Sequence, residues 1–117
     1  MVDRDGTVYR LMDETSMGRH TIGLNYSSIA IENVGGKDNK DNLTPSQLRS
    51  NIDLIDYLTH KYKSIEYLIG HHEYTDFVKH PLWLEKDKRY RTKKYDPGDI
   101  FMNKLRKHFK KLQHMDN

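Results

Sequence analysis

A chain of 117 residues sets one domain, spanning 1–117, as the default, with room for a modest core and little to spare. Its 35% hydrophobic and 32% charged residues describe a small core beneath a very polar surface, and the lack of any apolar run near roughly 18 residues excludes a membrane-spanning helix in this sequence. The absence of cysteine excludes disulfides while leaving the redox compartment open, and the net charge of +3 is mild.

At the amino end, MVDRDGTVYR has none of the pattern of a signal peptide, so the chain as written is expected to carry no export address. Asp3-Arg4-Asp5-Gly6 is a turn signal, and Thr7–Met12 after it reads as a strand. Only Met1 and Val2 are available as the other arm of a hairpin. Asp13–Asn25 carries Gly18 and Gly23 and reads as a loop, with His20 in the phrase GRHTIGLN. Ser27–Val34 alternates and then runs into Gly35-Gly36, the pattern of a strand stopping at a turn; Ile29 and Ile31 face the core and Ser28, Ala30 and Glu32 the other side. Lys37–Asn42 has no hydrophobic anchor and is expected to be a mobile loop.

The clearest element comes next. Thr44 suits an N-cap, Pro45 the first helical position, and Gln47 completes a capping box. Leu48, Ile52, Ile55, Leu58 and Tyr62 then keep helical spacing and give one buried stripe. His60 near the end of this helix reads as a helix-terminal group.

Ile65–Ile69 is a short apolar run ending at Gly70, which reads as a buried strand. His71 and His72 then sit at a strand end, and adjacent residues on an extended chain face opposite sides, so one of the two at most addresses a given site. Lys94 and Asp96, two apart, fall on one side of an extended piece before Pro97-Gly98 turns the chain. One imidazole and one carboxylate brought together by a loop resemble part of a zinc site, although on spacing alone a hydrogen-bonded histidine and a turn-forming aspartate are the commoner outcome. Phe77–Thr92 is a long loop in which Trp83 and Tyr90 either stack on a sugar or pack the loop down. Asp99 can cap a last helix with Phe101, Leu105, Phe109 and Leu112 inward, and the terminal Met-Asp-Asn is expected to fray. Lys104–Lys111 concentrates much of the positive charge, ordinarily a solvated face.

The order VDRDGTVYRLM, IENVGG, IGHHEY and KKYDPG, followed by an amphipathic helix, resembles the zinc-dependent N-acetylmuramoyl-L-alanine amidases, the family of AmpD-like amidases, phage amidase lysozymes and peptidoglycan recognition proteins. The resemblance covers essentially the whole chain. It implies an α/β fold, a mixed β-sheet flanked by helices. It also implies hydrolysis of the amide between N-acetylmuramic acid and L-alanine in peptidoglycan, with Zn as cofactor. On the family pattern His71 and Asp96 are zinc ligands, with His72 the alternate to His71. Glu32 is the general base, Lys94 stabilises the oxyanion, and His20, Asn25 and Trp83 contact the substrate.

In the family an earlier strand bearing the first zinc-binding histidine, then a helix, precede the segment equivalent to VDRDG. The expectation is therefore an incomplete domain with a two-ligand site, an uncovered sheet edge and no amidase activity of its own, unless His20, His72 or His80 fills the third ligand position. Two other classes remain: a peptidoglycan-binding module that does not cleave, and a nucleic-acid binder using Lys104–Lys111, the weakest because no nucleic-acid motif accompanies the charge.

Overall fold

A computed structural model describes residues 1–35 and 42–115. Nearly all of the polar loop expected at Lys37–Asn42, and Asp116 and Asn117, lie outside the described residues.

The helix α1, Pro45–Lys61, forms where its capping box predicts. The Thr44 hydroxyl accepts from the Gln47 N–H at 3.1 Å and the Gln47 side chain accepts from the Thr44 N–H at 2.9 Å, satisfying two donors that a bare helix end leaves unpaired. Ile55 and Leu58 of the expected stripe are buried, and Leu48 and Ile52 pack beside them. Two polar residues are buried as well. The Gln47 amide donates to the Val34 carbonyl at 2.8 Å and to that of Val2 at 3.3 Å, and the Asn51 amide donates to the Asn33 side chain at 2.7 Å. These bonds tie α1 to the extended segments that cross it.

The amino end supplies the centre of those segments. Val2 is fully buried and bridges Val8 on one side, antiparallel, and Asn33 on the other, parallel. The turn at Asp3–Gly6 closes with the Asp3 N–H donating to the Thr7 carbonyl at 2.8 Å, so the two-residue arm is a real hairpin arm. Ile29 and Ile31 are half-buried while Ser28, Ala30 and Glu32 are exposed, the alternation that the sequence suggests. Among the described residues, however, the extended segments meet only in isolated bridges, the third joining Tyr67 to Gln113, rather than in laddered strands. The strands expected over Thr7–Met12, Ser27–Val34 and Ile65–Ile69 are extended chain of this kind.

Two further expectations are corrected. The chain does not stay extended beyond Gly70: His71–Phe77 is a 3-10 helix, because Tyr74 and Phe77, three apart, are both driven into one apolar cluster with Leu24. The last helix, α2, spans Asp99–Arg106 and is capped by Gly98 at φ 90°, a conformation that favours glycine, with Asp99 inside its first turn. Phe101, Met102 and Leu105 of α2 pack on Ile55 of α1, and Phe109 and Leu112 reach the same cluster from turns beyond the helix. No helix among the described residues is long and apolar enough to cross a membrane.

Candidate functional site

Between α1, α2 and the extended segments lies a cleft of about 1090 Å³. Ile29, Ile31, Ile55, Leu58, Leu68 and Phe101 form its apolar walls, and His20, Glu32, His71, Lys94 and Asp96 all line it. Five of the residues singled out in the sequence therefore share one concavity.

The closest pair is His71 and Asp96. Nδ1 of His71 stands 3.3 Å from an Asp96 carboxylate oxygen, across 25 residues of sequence. Local structure sets this approach. Gly70 carries the 3-10 helix at its start, where a Cβ would come within 2.6 Å of the His72 ring and 2.9 Å of the Pro97 ring, so only glycine lets the two segments close. The His72 N–H donates to the Asp96 carbonyl at 2.9 Å, and the Asp96–Pro97 peptide is cis.

Beneath the pair is an ion pair that the sequence does not announce. Arg106 of α2 donates to Glu73 and, at 3.3 Å, to the Leu68 carbonyl, while the same Glu73 oxygen accepts the Gly70 N–H at 2.8 Å. Both charged side chains are mostly buried, so Arg106 is not part of a solvated basic face, as the run Lys104–Lys111 suggests. Gly-x-x-Glu at a helix start is the available local signal; the partner 33 residues on has none.

The other histidines differ in position. His20 is held by its ring, which bonds Thr21 and the Ser28 backbone; burial pushes its pKa down, and the nearby His71 adds to that, while the Ser28 bond opposes it. Both ring nitrogens of His80 are engaged, by the Tyr67 hydroxyl at 3.0 Å and the Leu82 N–H at 3.1 Å. His72 turns from the cleft toward Asp99.

Asn25 and Trp83 are not among the cleft walls. The Asn25 side chain accepts the N–H groups of His20 and Thr21 at 2.9 and 2.7 Å and so shapes the loop that presents His20. Trp83 stacks on Tyr74 with ring centres 6.1 Å apart, carries the Arg91 guanidinium on its face, and lies so close to Gly23 that a Cβ there would meet its ring at 2.5 Å. Of the two roles open to it, packing is the one its contacts display.

Residues 1–99 match the family described as N-acetylmuramoyl-L-alanine amidase. Over 77 residues the chain is 40% identical to the endolysin of Escherichia phage T7, covering 62% of this chain and 50% of that protein. It is 39% identical over 77 residues to the endolysin of Enterobacteria phage T3, with the same shares. The chain thus spans about half the length of the curated relatives it matches. No solved structure matches it.

Proposed function

The chain belongs to the N-acetylmuramoyl-L-alanine amidase family, and from that premise we propose that it acts, as one domain with the family's mixed sheet, on the amide joining N-acetylmuramic acid to L-alanine in peptidoglycan. The observation that carries this reading is the 3.3 Å approach of His71 to Asp96 on the wall of a cleft that Glu32 and Lys94 also line.

Zinc is the cofactor the family implies. The donor pair fits it: two ligands on a tetrahedral zinc with bonds of about 2.0–2.2 Å stand roughly 3.3–3.6 Å apart. His71 and Asp96 would hold it, and when bound it would supply a Lewis acid and lower the pKa of water to near 7. The chain's own residues do the rest. Glu32 accepts the proton of the attacking water, and the Lys94 ammonium stabilises negative charge as it develops on the carbonyl oxygen. His20, biased toward its neutral form by burial, is a hydrogen-bonding wall for the substrate.

A second reading rests on a specific observation. Among the described residues, no third His, Cys, Asp or Glu joins His71 and Asp96 in a metal-holding group. A cleft that binds peptidoglycan without cleaving it accords with that. One experiment separates the two: incubation of the protein with purified peptidoglycan and Zn²⁺, with chromatography of the soluble products and a pelleting assay of binding. Peptides released with a free L-alanine amino end, and lost in His71→Ala and Asp96→Asn, support hydrolysis. Pelleting without release supports the binding module.

A further inference from the structure

We propose that His72, Asp99 and Glu73 form a second divalent-cation site, separate from the His71–Asp96 pair and suited to a borderline cation such as Zn²⁺. One ligand atom from each lies within 4.8 Å of the others.

The geometry begins with the 3-10 helix, in which successive side chains diverge by about 120°, so the adjacent imidazoles address different partners. His71 faces Asp96, and His72 faces Asp99. The His72 ring is held by its inner nitrogen: Nδ1 lies 3.2 Å from the Asp96 carbonyl oxygen, which can only accept, so Nδ1 carries the hydrogen. A histidine whose other nitrogen donates to a backbone carbonyl is oriented as metal-binding histidines are, with Nε2 presenting its lone pair.

Nε2 is the ring nitrogen turned to Asp99. It stands 2.9 Å from a carboxylate oxygen there, a separation that either an N–H donor on the ring or a cation held by both atoms satisfies. Glu73 adds a carboxylate. Arg106 offsets part of its charge, which makes the site weak rather than tight. Ligands on a tetrahedral zinc stand roughly 3.3–3.6 Å apart, so a separation of up to 4.8 Å must close by about an ångström on binding. Asp99, with 82% of its side chain exposed, is free to swing inward. The three residues open on a pocket of about 390 Å³, also walled by Asp76, Asn103 and His114, with room for the water that completes the coordination. An imidazole ligand favours zinc, cobalt or nickel over calcium and magnesium, which take oxygen ligands.

The test titrates the protein with Zn²⁺ by calorimetry and with Co²⁺ by visible absorption, in a His71→Ala/Asp96→Asn background that removes the first pair. Binding should persist there and weaken by roughly tenfold or more on adding His72→Ala or Asp99→Asn. Asp99→Asn keeps the size and exposure of the side chain, so it reports on the ligand even where His72→Ala disturbs the fold; circular dichroism checks each variant. Loss of all binding in the background, or binding indifferent to Asp99→Asn, would overturn the proposal. Because the first pair is absent throughout, the outcome does not depend on the amidase reading.

Discussion

His72 and Asp96 are joined twice: the backbone N–H of His72 and its ring Nδ1 both lie on the Asp96 carbonyl oxygen, at 2.9 and 3.2 Å. The residue beside the first imidazole therefore fixes the backbone that carries its carboxylate partner. Gly70 makes room for this arrangement. Gly70→Ala should force the His72 and Pro97 rings apart and cost about 1–3 kcal/mol, read as a lower midpoint in urea. It should also weaken zinc uptake by the His71–Asp96 pair; an unchanged midpoint and unchanged uptake would show that the rings move aside freely.

The Glu73–Arg106 pair is mostly buried, so removing one partner strands the other charge. Arg106→Met is expected to cost about 2–4 kcal/mol, a little below the range for fully buried pairs. Joined with Glu73→Gln, the loss should be smaller than the sum of the two single losses, as equilibrium unfolding of all three variants will show.

Gln47 serves the capping box and the Val2 and Val34 carbonyls from a fully buried position. Gln47→Leu leaves these groups unsatisfied and should cost about 3 kcal/mol. Gln47→Glu should be no milder, since it points oxygen at two carbonyls. Thermal melts of both variants decide this.

Burial lowers the His20 pKa from its ordinary 6.5 in the folded chain. The unfolded chain then takes up this proton at higher pH than the folded one does. Stability from this source is whole above 6.5 and is lost as the pH falls through the lower folded value. Urea midpoints measured from neutral to mildly acidic pH should fall more steeply for the wild type than for His20→Gln.

If Glu32 is the base, Glu32→Gln should cut peptide release by about 10²–10⁴-fold while zinc content, measured by atomic absorption, is unchanged. Zinc lost together with activity would make Glu32 a ligand instead.

Legibility in the sequence divides by range. The α1 capping box and the Asp3–Gly6 turn are local, their partners three or four residues apart, and both form as the residues suggest. The His71–Asp96 approach is accessible through resemblance; spacing alone favours blander roles. The 3-10 helix is hidden because a short, mostly apolar run before a glycine does not fix the conformation of the residues after it, and the pull of Tyr74 and Phe77 toward Leu24 is tertiary. The last helix looks longer in the sequence than it is because Phe109 and Leu112 keep helical spacing, yet they reach the core from turns. Arg106 is concealed inside a basic run, where nothing local distinguishes the one inward-facing cation from its neighbours.

Trp83 is the sole tryptophan, and it sits over Gly23 and Tyr74 in the apolar cluster of the loops, away from the cluster shared by α1 and α2. The molecule thus carries its own spectroscopic partition. Indole fluorescence tracks release of the loop, whereas far-ultraviolet dichroism is dominated by α1. Coincident midpoints from the two signals would mean that the loop and the helices melt as one cooperative unit; a lower midpoint for the fluorescence would mean that the loop comes away while the helices still stand.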